Sequence, residues 1–530
     1  MSTNAYLKLK NGSDVRGVAC DGIEGEPVTL TEEIAANVAK AFCVWLISHT
    51  GKTQVTVAIG YDSRITSPAL CEAVASGITS TGHNAIVTGL STTPSMFALL
   101  KDEAWMQEQY CHGSIMITAS HLPFNRNGLK FFSHEGGLES SDVTEILEMA
   151  ESYRFAEPNT HGDKTEKSYL NEYAASLVEK VRIACEDEQP LLGKKIIVDA
   201  GNGAGGFFAD KVLAPLGADT SGSQFLEPDG TFPNHIPNPE NADAMRSVCE
   251  AVKAAKADFG IIFDTDVDRA GAVDENGEEI NRNRLIALIS AILLQEQPGT
   301  IVTDSVTSDG LAKFIKAKGG KHLRFKRGYK NVINEAKRLN EQGEYAPLAI
   351  ETSGHAALME NYFLDDGAYL ITRLLIALAK ANKEAKKLTD LINDLEMPLE
   401  GVELRAKFKP DCDFKTLGKK ILEDFTAHAN NVYYATPAPD NHEGMRLCYD
   451  DLHGDGWALM RMSLHDPVLP MNVESDSENG CIKIVKDLYY FLRQYDFLDI
   501  SPLENYIAAW RDTKSKEVST KLESYKRVNA

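Results

Sequence analysis

Three aspartates stand at alternate positions in Phe263-Asp264-Thr265-Asp266-Val267-Asp268-Arg269. The apolar run Phe259-Gly260-Ile261-Ile262 precedes them and reads as a strand. On a strand the three carboxylates share one face; in a loop they wrap one point. Either way three like charges sit together, which costs energy unless a cation compensates. An all-oxygen donor set without histidine or cysteine favours Mg²⁺, with Mn²⁺ or Ca²⁺ as alternatives. The EF-hand signature is not met, because Arg269 stands where that loop has its glycine. The plain alternative is an acidic surface turn. The apolar strand before it and the arginine after it argue against one, since Arg269 is placed to hold a phosphoryl oxygen or orient an acidic ligand.

A second reactive stretch runs Thr118-Ala119-Ser120-His121-Leu122-Pro123-Phe124-Asn125-Arg126-Asn127-Gly128-Leu129-Lys130. It leaves the apolar run Ser114-Ile115-Met116-Ile117 and at once presents a serine, a histidine, an arginine and a lysine. No G-x-S-x-G elbow surrounds Ser120, which argues against an α/β-hydrolase. No Walker A signature occurs, which argues against a P-loop ATPase. A serine that accepts and donates a phosphoryl group fits better. It needs a divalent cation beside its phosphate and cationic groups to spread the developing charge. The aspartate loop supplies the first; Lys130, Arg16 and Arg269 supply the second. The Asn127-Gly128 pair is expected to turn Lys130 back toward Ser120. Taken singly, Ser120 reads as a helix cap and His121 as a structural histidine.

Both stretches must be held by elements that end where they begin. Residues 29–48 read as a helix, with Ile34, Val38, Phe42 and Trp45 on one face. Strand signals follow at 54–60, 84–90 and 113–120, with a helix at 68–82 between the first two. Strand, loop, helix and strand again is an α/β rhythm, and ligands of such sheets bind beyond the strands' carboxyl ends. Gly60-Tyr61-Asp62-Ser63-Arg64 and Thr118-Ala119-Ser120-His121 both lie there. A second unit opens on Ile196-Ile197-Val198-Asp199-Ala200, a glycine-rich loop and a predicted helix near 207–217. A third carries Glu351-Thr352-Ser353-Gly354-His355 and a long helix near 368–387. The last has an antiparallel character, with a turn at Gly454-Asp455-Gly456.

The 530 residues exceed one ordinary hydrophobic core. A formal charge of -22 repels nucleic acid and anionic membrane on average, so neither is an expected partner. An anionic small substrate then needs a local basic pocket. No run of eighteen apolar residues occurs, the start of the chain lacks a signal-peptide core, and nine cysteines are scattered singly. The expectation is a cytoplasmic protein with reduced thiols, a monomer or weak dimer.

With four signatures in order, the chain resembles the α-D-phosphohexomutase family of phosphoglucomutases and phosphomannomutases. The serine loop is similar to the family's TASHNP, with Leu122 in place of asparagine. The metal loop DxDxDR is present as Asp264, Asp266, Asp268 and Arg269, and the sugar loop ExSGH as Glu351, Ser353, Gly354 and His355. Arg16 matches the family's early phosphate-contacting arginine. The resemblance implies three similar α/β domains with mixed sheets and a smaller α+β C-terminal domain around a central cleft. The corresponding segments are 1–165, 166–284, 285–404 and 405–530. It implies that Ser120 is phosphorylated at rest, and that one Mg²⁺ per site bridges its phosphate and the three aspartates. Glu351 and Ser353 would grip sugar hydroxyls, while Lys130, His121 and His355 are candidates for proton transfer. A hexose 1,6-bisphosphate would be intermediate and activator.

The loop of the fourth domain departs from the family. Where the family has R-P-S-G-T-E-P, this chain has Arg461-Met462-Ser463-Leu464-His465-Asp466-Pro467. Arg461, Ser463 and His465 remain candidates for the non-transferring phosphate, with Lys330 or Arg446 as compensating cations. The expected activity is interconversion of hexose 1- and 6-phosphates of glucose or mannose. Phosphoglucosamine is the alternative substrate; a metal-dependent phosphatase and a non-catalytic phosphosugar-binding paralogue are the rival classes.

Overall fold

Thr31 and Gly51 bound the first long helix, Glu32–Thr50. The Thr31 hydroxyl accepts the Ile34 N–H at 3.2 Å, and Gly51 closes the other end with φ 67°. Val38, Phe42 and Trp45 on its inner face are buried, as their spacing predicts. They meet Val57, Ile59, Ile115 and Phe131 in the core of the first sheet. These details come from a computed structural model describing residues 5–152, 155, 160–410, 412–463 and 466–528, with side chains described as far as 514. His465, a candidate phosphate ligand, lies outside the described residues.

The chain divides into two compact units, 1–301 with 333–393, and 302–332 with 394–530. Among the described residues, the first unit holds two α/β sheets and three antiparallel strands of a third, Leu348–Ile350, Ala356–Leu358 and Leu364–Asp365. In one, strands Thr56–Tyr61, Asn84–Leu90 and Gly113–Ile117 run parallel, and Arg126–Ser133 joins antiparallel to Gly113–Ile117. Asp14–Val18 then pairs with Arg126–Ser133. The sheet is therefore mixed, and the serine loop is a connection between two adjacent antiparallel strands. In the other sheet, Phe259–Phe263 lies parallel to Ile196–Asp199 and antiparallel to Ala270–Val273. The aspartate loop joins those last two strands.

Two local expectations differ from what forms. Asn127 and Gly128 do not make a turn; they lie inside strand Arg126–Ser133, opposite Gly17 and Arg16. Gly128 is required there by close packing, since a Cβ would meet the Val15 carbonyl oxygen at 2.2 Å. Lys130 reaches the site instead by pairing with Met116. The segment near 207–217 is not one α-helix but a π-helical turn, Phe208–Leu213, running into the 3₁₀ turn Ala214–Leu216. Pro215 lacks the N–H that a continuing helix needs.

In the second unit, the C-terminal sheet is antiparallel in the order Ala435–Pro437, Met445–Tyr449, Gly456–Met460, Val468–Ser475, Glu400–Phe408, Leu498–Asp499. Helices Phe414–Asn431 and Gly480–Leu492 cover its apolar face through Phe425, Ile484, Leu488 and Phe491. No helix among the described residues is long and apolar enough to cross a membrane.

Candidate active site

Ser120 leaves strand Gly113–Ile117 with φ 53°, a left-handed conformation that costs a residue with a Cβ about 1–3 kcal/mol. The loop around it is held by a buried arginine. Arg64 donates to the carbonyl oxygens of Ser120, Leu122, Pro123 and Arg126, the last three at 2.6, 2.8 and 2.9 Å. Asp62 pairs with the Arg64 Nε at 3.3 Å, and the Phe232 ring lies 5.2 Å from the guanidinium. Beyond its place at a strand's end, nothing in the sequence marks Arg64. Arg64→Ala is expected to lower unfolding free energy by roughly 3–5 kcal/mol, because it strands a buried carboxylate and four carbonyls. Urea denaturation measures this, and a loss below about 1 kcal/mol would contradict the assigned role.

The aspartate loop turns sharply enough to bring its carboxylates together. Val267 has φ 69°, an outlier for a β-branched residue, and its carbonyl accepts the Gly367 N–H at 3.1 Å. A Cβ on Gly367 would meet the Arg269 carbonyl carbon at 2.6 Å. One carboxylate oxygen each from buried Asp264, Asp266 and Asp268 falls within a 4.8 Å cluster. Ser120 Oγ donates to Asp264 Oδ2 at 3.1 Å, and Arg269 Nη2 donates to Ser120 Oγ at 3.3 Å. Lys130 Nζ bridges Asp266 Oδ2 at 2.9 Å and Asp268 Oδ2 at 2.5 Å. The opposite oxygens, Asp266 Oδ1 and Asp268 Oδ1, are buried without a hydrogen-bond partner among the described residues.

Electrostatics agree with that geometry. Burial and the neighbouring Asp268 and Asp266 carboxylates push Asp264 far above the usual carboxylate range. Burial would also raise Asp268, but Lys130, His355 and Arg269 outweigh it and hold Asp268 below its ordinary value. A cage in which one carboxylate is driven toward protonation is short of a cation. Three clustered buried carboxylates, two of them with an oxygen that accepts no hydrogen bond among the described residues, fit a hard divalent ion.

The sugar loop sits beside this cage. It is a reverse turn between strands Leu348–Ile350 and Ala356–Leu358. The Ala270 N–H donates to the Gly354 carbonyl at 3.3 Å, and an antiparallel bridge links Arg269 and His355. His355 Nδ1 lies 2.6 Å from Asp365 Oδ2 and 3.7 Å from Asp268 Oδ1. Burial alone would lower this imidazole; Asp365 and Asp268 oppose it and leave the group above its ordinary value. Ser353 Oγ donates to Glu351 Oε2 at 3.3 Å.

His121, a candidate for proton transfer, lies among cations. Arg269 first, then burial and Arg16, push its pKa down to about 2 beside an unphosphorylated Ser120. Its Nδ1 lies 2.9 Å from Arg269 Nη2. In this state the ring is neutral and accepts a hydrogen bond, so it cannot serve there as a cationic acid. Arg16 pairs with Asp14 at 2.8 Å while lying close enough to depress His121.

The remaining candidates belong to the second unit. Arg461 is buried with Nη1 3.7 Å from Glu443 Oε1. Glu443 Oε2 also accepts from Ser305 Oγ at 2.5 Å and from the Arg327 N–H at 3.1 Å. Ser463 Oγ accepts the Asp466 N–H at 3.3 Å, and Lys330 lies in the first turn of helix Tyr329–Glu341. Arg446 does not fit the part of a compensating phosphate cation. Its guanidinium stacks on Trp457 at 3.6 Å and donates to the Ser305 and Thr307 carbonyls and to Asp309.

Three family models match the chain in order. They describe phosphoglucomutase/phosphomannomutase α/β/α domain I over residues 8–157, domain II over 171–277 and domain III over 281–396. A phosphoglucomutase of Neisseria gonorrhoeae is 30% identical over 466 residues, covering 87% of this chain and 93% of that protein. A phosphoglucomutase/phosphomannomutase of Thermococcus kodakarensis is 29% identical over 477 residues, covering 89% and 95%. The crystal structure of a phosphoglucomutase/phosphomannomutase family protein from Burkholderia thailandensis has a TM-score of 0.75 at 26% identity. It covers 93% of this chain and 98% of that one.

Proposed function

Because the chain belongs to the phosphoglucomutase/phosphomannomutase family, we propose that it interconverts the 1- and 6-phosphates of glucose or mannose through a phosphorylated Ser120. The observation that carries this reading is Ser120 Oγ, 3.1 Å from Asp264 at the edge of three clustered buried aspartates. In the first transfer a substrate hydroxyl oxygen bonds to the Ser120 phosphorus as the Oγ–phosphorus bond breaks. A hexose 1,6-bisphosphate forms. After the sugar reorients, Ser120 Oγ attacks the other phosphoryl group and recovers it, releasing the isomeric monophosphate. Atoms balance across the two transfers, and each is a short, positioned reaction.

Mg²⁺ held by Asp264, Asp266 and Asp268 would supply charge neutralisation at the phosphoryl oxygens. Arg269, already 3.3 Å from Ser120 Oγ, shares that task, with Arg16 nearby. Lys130 and His355 move the hydroxyl proton in this reading. Glu351 accepts hydrogen bonds from sugar hydroxyls and Ser353 donates or accepts. Arg461, Ser463 and Lys330 bind the non-transferring phosphate in this reading.

Incubating the chain with glucose, mannose and glucosamine 1-phosphates, with Mg²⁺ and a trace of bisphosphate, tests it by ³¹P NMR. The expected product is the glucose or mannose 6-phosphate. Conversion of the amino sugar alone would move the substrate to phosphoglucosamine. Release of inorganic phosphate alone would identify a phosphatase, and binding without turnover a phosphosugar-binding paralogue.

A further inference from the structure

We infer that Thr93, which lies outside every sequence motif above, positions Asp266 for the divalent ion. This inference rests on the metal-cage reading and extends it to the first sheet's side of the site. Thr93 is the first residue of helix Thr93–Ala98 and is buried. Its backbone N–H donates to the Asp266 carbonyl oxygen at 2.9 Å. Its hydroxyl donates to Asp266 Oδ2, the same oxygen that Lys130 Nζ contacts at 2.9 Å.

The asymmetry is the point. Both donors engage Oδ2, while Asp266 Oδ1 is buried with no hydrogen-bond partner among the described residues. A carboxylate fixed through one oxygen presents the other in a set direction. Thr93 grips main chain and side chain of one residue, so it fixes both the height of the loop and the carboxylate's rotation. The grip is rigid because the next turn is locked. The Thr92 hydroxyl accepts the Ser95 N–H at 3.1 Å and the Ser95 hydroxyl accepts the Thr92 N–H at 3.0 Å. Thr93 is a positioning residue: it reaches the reaction only through Asp266.

The test is a Mn²⁺ titration of the wild-type chain, Thr93→Val, Thr93→Ser and Asp266→Asn, with free Mn²⁺ read by EPR and thermal melting recorded alongside. T93V keeps the shape and the backbone N–H but loses the hydroxyl. Its dissociation constant is expected to rise about 10–100-fold. T93S, which restores the hydroxyl, is expected to stay within a few-fold of wild type, and D266N marks the loss of a ligand. If T93V does not fold, Thr93→Ala carries the same expectation. Unchanged affinity in T93V or T93A, even with a lowered melting temperature, overturns the role of Thr93 alone. A wild-type chain that binds no Mn²⁺ overturns the metal cage and this inference together.

Discussion

Ser120→Ala is expected to lower mutase kcat by roughly 10⁴-fold or more while leaving the fold intact. The size of the effect follows from chemistry. In the proposed mechanism Ser120 Oγ carries the phosphoryl group before the first transfer and recovers one in the second, and alanine has no substitute for it. Its neighbours Asp264, Arg269 and His121 keep other partners. Asp264 still accepts the Arg269 N–H at 3.2 Å, and Arg269 still reaches His121 Nδ1 at 2.9 Å. Losing one hydroxyl with those groups in place costs about 1 kcal/mol of stability. Steady-state assays and thermal melting read the two quantities separately. Full turnover in a folded S120A chain would remove Ser120 from the mechanism.

Lys130→Met is expected to lower kcat by about 10²–10⁴-fold, the usual worth of a positioned proton-transfer group. Methionine retains most of the buried stem and removes only the ammonium. That ammonium bridges Asp266 and Asp268, so its loss also leaves two buried carboxylates without their common partner. Breaking such a pair costs about 3–5 kcal/mol. Saturating divalent ion restores part of that stability, since it binds only the folded cage. It does not restore the lost proton carrier. A purely structural Lys130 would show stability and kcat recovering together as the ion is added. Lys130→Arg keeps the charge but places it on a planar fork that fits the bridge poorly, and a large loss of kcat is expected there too.

The chemistry-bearing loops were legible because each follows a strongly apolar strand. Phe259–Phe263 is wholly buried and stops where Asp264 begins, and Gly113–Ile117 does the same for the serine loop. Those boundaries place Asp264, Asp266, Asp268 and Ser120 at carboxyl ends of strands, as α/β packing demands. Local turn rules failed where tertiary packing outranks them. Asn127-Gly128 carries a turn signature, yet strand Asp14–Val18 claims its backbone, the Gly128 carbonyl accepts the Thr118 N–H at 3.1 Å, and Gly128 serves close approach instead. Arg446 carries the signature of an anion ligand, yet Trp457 and three acceptors in residues 305–309 occupy it.

The residues that position the site were not legible at all. Thr93 meets a carboxylate 173 residues away, and Arg64 meets carbonyl oxygens, which no side-chain motif encodes. Val267 also has no signature, because a β-branched residue is the least expected choice for a left-handed turn. Such positions follow from the fold that surrounds them, so periodicity and spacing along the chain do not single them out.

The central claim is covalent, so mass spectrometry of the chain itself tests it most directly. The chain is incubated with hexose 1,6-bisphosphate and Mg²⁺, digested, and its phosphopeptides are mapped. A single phosphate on Ser120 is expected, lost on treatment with excess hexose monophosphate when the bisphosphate formed is removed before it can return the group. A chain that turns substrate over while Ser120 stays free of phosphate throughout would contradict the account.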